Sequence, residues 1–282
     1  MTTVEQHAAF LDSLPFDPFS VWLAAHRNQP EGLWGILRAH PNVDINWKGS
    51  SQSTPFYQAC ERGHDAVLFI LLAHPAIDVN QTGFRGISPF GKACSRGHTS
   101  CVRLLLKDSR VNVPEPNEDG YTPLWPAACN GYLDVIKWWI ASGREMDLEK
   151  SEDVDKTDAI GIAKKNVERE IVTLLESFME NAEETRHQVR VEIDWYDEAA
   201  AEMFALVVFL CDGLLQIKET ALTPAARFFN IARSLPLELQ MVLCYRAVGS
   251  AKVAIPNRST EDAFKGLGTK LFLESSLISW LS

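Results

Sequence analysis

The chain has 282 residues, 46% of them apolar, and carries 27 Lys+Arg against 37 Asp+Glu for a formal net charge of −10. The apolar share is enough for a substantial core, and an acidic balance without a basic stripe argues against nucleic acid as the main partner. The opening Met1-Thr2-Thr3-Val4-Glu5-Gln6 shows no basic region followed by an apolar stretch, and the longest apolar run, Met203 to Cys211, falls far short of the ~20 residues of a membrane span, so a soluble chain without leader or membrane segment is expected.

Ser20-Val21-Trp22-Leu23-Ala24-Ala25 opens a pattern that becomes explicit further on. Thr54-Pro55-Phe56-Tyr57-Gln58-Ala59-Cys60-Glu61-Arg62-Gly63-His64 returns 34 residues later, from Ser88 to His98, and again from Thr122 to Tyr132. Self-similarity at this period predicts a stacked array of one supersecondary unit, which offers partners a long surface rather than one pocket. Thr54, Ser88 and Thr122 are placed to cap a helix through their hydroxyls. Pro55, Pro89 and Pro123 then take the first helical position, where a missing N–H costs nothing. Ala59, Ala93 and Ala127 are small enough for neighbouring units to approach, and Gly63, Gly97 and Gly131 end the first helix. The runs 67–72, 101–106 and 133–140 supply an apolar second helix each time. Backwards, Ala25 lies 34 before Ala59 and Val43-Asp44-Ile45-Asn46 prefigures Ile77-Asp78-Val79-Asn80. Forwards, Ala163 lies 36 after Ala127, leaving two extra residues between them.

These residues resemble the ankyrin repeat, with its Thr-Pro-Leu-His-x-Ala opening, Gly-His between helices, Leu-Leu run and closing Asp-Val-Asn. The resemblance covers about 16–178 and implies an all-α fold: an ankyrin-repeat solenoid of helix-turn-helix units with hairpin fingers, followed by a small helical bundle. The array is expected over 1–180, with a degenerate first repeat at about 16–46, repeats at 47–80, 81–114 and 115–148, and a closing repeat at 149–178; a helical C-terminal domain takes 181–282. Tyr57, Gly91 and Trp125 replace the signature histidine, and Pro126 stands inside the first turn of its helix.

Other motifs read as structural. The six cysteines include no Cys-x-x-Cys pair, so reduced and mostly buried thiols are expected, with no metal. His64 and His98 follow the interhelix glycine, where the family uses the ring to tie loops together. Gly86 to Ala93 matches seven of the eight P-loop positions, but Ala93 lacks the hydroxyl for magnesium and no buried strand precedes it. No catalytic residue and no cofactor are assigned, and the chain is expected not to be an enzyme.

Residues 149–202 hold sixteen acidic side chains against seven basic ones, read as an enlarged acidic finger over Glu149 to Asp158 and a solvated helix end or linker at Glu180 to Glu184. Beyond about residue 185 the period is lost. Helices are expected from Trp195 to Gln216, from Thr223-Pro224, from Leu235 until Gly249, after a cap at Ser259 to Asp262, and around Leu277, Ile278 and Trp280.

In ankyrin arrays the finger tips and the exposed side of the first helices form a concave face. The register then nominates Trp47, Lys48, Ser50, Ser51 and Ser53, then Thr82, Phe84, Arg85 and Ile87, then Glu118, Asp119 and Tyr121 on the fingers. It adds Glu61, Arg62, Ser95, Arg96, Trp125 and Asn130 on the helices. Aromatic and arginine side chains among them are the best anchors. The implied function is binding of a protein or peptide, in the cytoplasm or nucleus, with neither nucleic acid nor membrane as partner. A second reading notes that Leu235-Pro236-Leu237-Glu238-Leu239 resembles the opening of an F-box, which docks on the adaptor of cullin-type ubiquitin ligases; Leu235, Pro236, Leu237, Leu239, Met241 and Val242 would then line the docking surface. A third, weakest, places an enzyme site in the helical region on Glu238, Asp194, Asp197 and Glu198.

Overall fold

The computed structural model describes residues 17–49, 52–148, 158–212, 224–252, 254–256 and 258–269. They fall into two compact units whose boundary lies between Ala182 and Glu183.

The first unit is a run of helix pairs: α1 (Phe19–His26) with α2 (Pro30–Ala39), α3 (Pro55–Arg62) with α4 (Asp65–Ala73), α5 (Pro89–Ser95) with α6 (Thr99–Lys107), α7 (Leu124–Cys129) with α8 (Leu133–Ser142), and α9 (Ala159–Lys165) with α10 (Arg169–Glu180). First helices stack on first helices and second on second, giving two layers. Ala25, Ala59, Ala93, Ala127 and Ala163 form one column between the first helices, all fully buried. In the second layer Leu37, Leu71, Leu105, Trp139 and Leu175 form another, and the Trp139 indole meets the Phe90 ring edge-on at 5.0 Å. Each large side chain so buried contributes about 1.5–3 kcal/mol, and no single pair could bury its own.

Capping follows the sequence in two repeats and fails in the third. Tyr57 N–H donates to Thr54 Oγ1 and Gly91 N–H to Ser88 Oγ, both at 3.0 Å, while Gln58 and Lys92 N–H groups reach the Thr54 and Ser88 carbonyls. The third residue of this set is Pro126, which has no N–H to give. Trp125 N–H bonds the Thr122 carbonyl instead at 3.1 Å, α7 starts at Leu124, and the expected Thr122 cap is not made. Asp158 caps α9 through Gly161 N–H.

Between the helices the chain turns through a left-handed residue in every repeat: Asn28, Gly63, Gly97, Gly131 and Val167, with φ of 53°, 73°, 71°, 74° and 64°. Valine resists this conformation, so the closing repeat carries strain where the inner ones carry glycine. Finger tips repeat as well. Gly83 N–H donates to Ile87 O and Asn117 N–H to Tyr121 O, each at 3.0 Å and 34 residues apart; the fingers are closed by turns, and the described residues contain no strand. Behind them Asn46 and Asn80 each bridge to the next repeat, donating to Ala76 O and Arg110 O and accepting from Asp78 N–H and Asn112 N–H at 2.7–2.8 Å.

The second unit begins with a helix, α11 (Ala182–Glu192), that the acidic composition disguised as a linker. It continues with α12 (Trp195–Cys211), α13 (Pro224–Ala232) and α14 (Leu237–Ala247), which ends before Gly249 at φ 84°. Residues 213–223, 149–157 and 270–282 lie outside the described residues, and with them the end of the helix expected to reach Gln216, Thr223, most of the acidic finger, and Leu277, Ile278 and Trp280. Residues 258–269 are helical and Thr260 N–H already bonds Pro256 O at 3.1 Å, so the helix starts before Ser259 and the cap expected there is not needed. Ala200, Phe204, Val207, Ala232, Cys244 and Tyr245 make the core of this unit.

Replacing Ser88 by Ala should cost about 1 kcal/mol, the usual worth of an N-cap, whereas Thr122→Ala should cost less than half of that; urea unfolding of the two variants checks it. Val167→Gly should raise stability by about 0.5–1 kcal/mol, relief of the left-handed strain being partly offset by the freer unfolded chain, and thermal unfolding reads the sign.

Candidate functional site

None of the twelve residues nominated as the strongest partner contacts is buried, but they divide between two edges. Trp47, Lys48, Phe84, Arg85, Ile87, Glu118, Asp119, Tyr121 and Trp125 gather on the fingers and the helix starts beside them. Arg62, Arg96 and Asn130 lie at the far ends of the first helices, about 12 Å away along an eight-residue helix.

On the finger edge, each finger is held by its neighbour. Lys48 Nζ donates to Thr82 O at 2.8 Å, and Trp47 meets Phe19 edge-on at 6.1 Å. Glu118 N–H donates to Arg85 O at 3.1 Å, and the Arg85 guanidinium sits 3.3 Å from Asp119. Arg85 is itself left-handed, with φ 60° and ψ 28°, and a Cβ on Gly86 would lie 2.8 Å from Glu118 Cγ. This braced, strained tip holds Phe84 outward, 68% exposed. Tyr121 and Trp125 pack at 4.6 Å, and Trp125 Nε1 is buried without a hydrogen-bond partner. Ser53, expected on the finger surface, is buried instead: it accepts from Trp22 Nε1 at 3.3 Å and Gln58 Nε2 at 3.0 Å. Ser50 and Ser51 lie outside the described residues. The sequence reading missed Phe19, 43% exposed, and the Trp22–His26 stack at 4.7 Å, although their spacing already places Trp22 and His26 on one side of α1.

On the helix-end edge, Glu61 is shared by Lys92 at 3.1 Å, Arg96 at 3.6 Å and Gln58 Nε2 at 3.2 Å. Asn130 is exposed yet occupied, its amide donating to Ser95 O at 3.4 Å and Pro126 O at 2.9 Å, so it is a tie between repeats. His64 Nε2 reaches His26 O at 3.3 Å and His98 Nε2 reaches Glu61 O at 3.0 Å, each ring crossing from one repeat to the one before. Lys92 of the P-loop-like stretch lies within α5 on Glu61, which leaves no phosphate cradle there.

Reactive groups are quenched by their surroundings. Burial raises the Cys60 and Cys94 thiols and pushes Cys101 and Cys244 up to about 12, so they stay protonated; all six cysteines are free, with Cys211 exposed. The described residues contain no group of three side chains able to hold a metal. In the helical unit the buried Asp197 carboxylate receives Lys252 Nζ at 2.7 and 2.8 Å and the Tyr245 hydroxyl at 2.9 Å, and burial, then that bond, raises Tyr245. Asp197 is thereby committed to structure, unlike exposed Asp194 and Glu238. The F-box-like stretch is split: Leu237 and Leu239 are 54% and 51% exposed and Pro236 is exposed, while Leu235, Met241 and Val242 are half-buried, Met241 against the core.

The family model described as "Ankyrin repeats (3 copies)" matches residues 21–114 and again 58–150. Together with the stacked helix pairs, this shows that residues 21–150 are built of ankyrin repeats. No curated protein matches it. No helix among the described residues is long and apolar enough to cross a membrane.

His74 gives the array a pH dependence. Its Nδ1 accepts Ala76 N–H at 3.2 Å, and burial lowers its pKa below 6.5. The folded array therefore holds His74 neutral, so its stability is complete above pH ~6.5 and declines as pH falls from there towards the lowered value, where the unfolded chain binds the proton first. His74→Asn, which keeps an acceptor that does not titrate, should flatten the fall of the urea midpoint between pH 7.5 and 5.5.

Proposed function

We propose that the array is a protein-interaction module that takes a protein or peptide across its finger edge and the adjoining first helices. Repeat arrays of this family bind proteins, and the observation that supports a site here is the Phe84–Arg85 tip. An aromatic 68% exposed on a backbone strained and braced by the next finger is a contact ordered before binding, which spares the entropy of fixing it later. Trp47, Lys48, Ile87, Glu118, Asp119, Tyr121 and Trp125 extend that surface, with Arg62, Arg96 and Asn130 at the helix ends. The same reading takes 1–180 as the array and 181–282 as a helical C-terminal domain, acting in the cytoplasm or nucleus and without chemistry of its own. Affinity capture from source-cell lysate with the wild type and with Phe84→Ala/Arg85→Ala/Tyr121→Ala should show partners retained by the first at least tenfold better; equal retention by a folded variant rejects the finger edge as the site.

The second reading, an adaptor-docking segment, is favoured only by the exposure of Leu237 and Leu239. If it holds, purified cullin-ligase adaptor should bind the full chain and lose Leu237→Asp/Leu239→Asp.

A further inference from the structure

The residue that precedes the left-handed turn is Arg27, Arg62 and Arg96 in the first three repeats and Asn130 and Asn166 in the last two, all exposed. Arg27, Arg96, Asn130 and Asn166 have nearly the same backbone conformation, φ between −103° and −89° and ψ between −4° and 6°, so the position is structurally equivalent in these four repeats, and Arg62, the last residue of α3, stands in the same place before Gly63. What differs is who closes the helix-end carbonyls. Between repeats one and two, and two and three, the rings of His64 and His98 reach His26 O and Glu61 O. In the last two, Tyr132 and Glu168 stand where those histidines stood, and Asn130 and Asn166 supply the missing donors to Ser95 O and Cys129 O. Asparagine is thus required where histidine is lost, and arginine stands where the position is released from that duty. The side chains of Arg27 and Arg62 make no hydrogen bond or ion pair among the described residues, although the Arg27 N–H donates to Leu23 O at 3.0 Å, and Arg96 shares Glu61, 3.6 Å away, with Lys92.

We propose that Arg27, Arg62 and Arg96 form a docking row for an acidic, extended peptide segment of the partner, one carboxylate per repeat. Charge supports this occupant: three exposed guanidinium groups line one edge of a chain whose formal charge is −10. Spacing supports it as well. Packed helices lie 8–10 Å apart and an extended chain advances ~3.3 Å per residue, so carboxylates about three residues apart would meet successive arginines. A nucleic-acid strand brings charge every ~3.4 Å, most of it against an otherwise acidic surface. The row deepens the binding-module reading and rests on it: it orients and steers the partner, while the finger edge supplies apolar anchorage.

The test uses the full chain and a fluorescein-labelled (Glu-Ser-Gly)6 peptide, read by anisotropy at low ionic strength. Binding to the wild type should weaken at least fivefold in Arg27→Gln/Arg62→Gln/Arg96→Gln. It should stay within twofold in the charge-matched Arg233→Gln/Arg246→Gln/Arg258→Gln control. The proposal is overturned by absence of saturable binding, by equal loss in the control, or by an 18-nucleotide oligothymidylate that binds more tightly and is lost in the same variant. It is also overturned if the arginine variant lowers Tm and leaves peptide binding unchanged, for the arginines would then serve only the helix dipoles. Failure of this row leaves the Phe84/Arg85/Tyr121 capture experiment unaffected, so the two readings fall separately.

Discussion

A short helix cannot satisfy its own last carbonyls, and in this array the next repeat does so. His64 on His26 O, His98 on Glu61 O, Asn130 on Ser95 O and Asn166 on Cys129 O are four solutions to one problem, set by helices of six to eight residues whose ends would otherwise lie open. Each donor comes from outside the helix it completes. A repeat is therefore unfinished without its successor, and the fully buried alanine column from Ala25 to Ala163 is what lets the successor come close enough. Arg110 and Arg144 do the same for the second layer, reaching back to Leu72 O and to Leu106, Asp108 and Val111 carbonyls.

Most of this layering was legible in the sequence because it rests on residue types with few alternatives: a small alanine at the contact, a glycine at the left-handed turn, a hydroxyl before proline. Where the reading failed, one atom decided. Thr122 matched the cap pattern, but Pro126 withheld the N–H that starts the other two helices. Ser53 looked like finger surface because period alone does not reveal that Trp22, 31 residues earlier, and Gln58 close over it. Helix α11 was hidden because its charged, weakly apolar sequence carries little of the periodic signal that marked the others. The three-arginine row was also missed. The first turn is one residue shorter, so aligning Ala25 with Ala59 sets Asn28 against Arg62, whereas the backbone sets Arg27 there.

The candidate surface follows from what the scaffold leaves over. Fingers that brace one another through Lys48 to Thr82 and Glu118 to Arg85 are not free to bend separately, and that mutual support is what lets Arg85 persist in a conformation that non-glycine residues avoid. The strain lies at the tip, beside the most exposed large apolar side chain of the described residues. A flexible finger would relax Arg85 and let Phe84 fold back; a braced one cannot.

The same logic separates the polar residues of the helix-end edge. Exposure alone would rank Asn130 with Arg62 and Arg96, since all three are open to solvent. Hydrogen bonding divides them: Asn130 uses its amide to hold Ser95 O, so its replacement would loosen a repeat junction whatever binds nearby. Arg62 holds nothing in the described residues, so its charge is available without cost to the stack. In a repeat array, then, a side chain whose structural duty has been taken over by a neighbour is the one free to meet a partner, and at the first two junctions His64 and His98 are the neighbours that took it over.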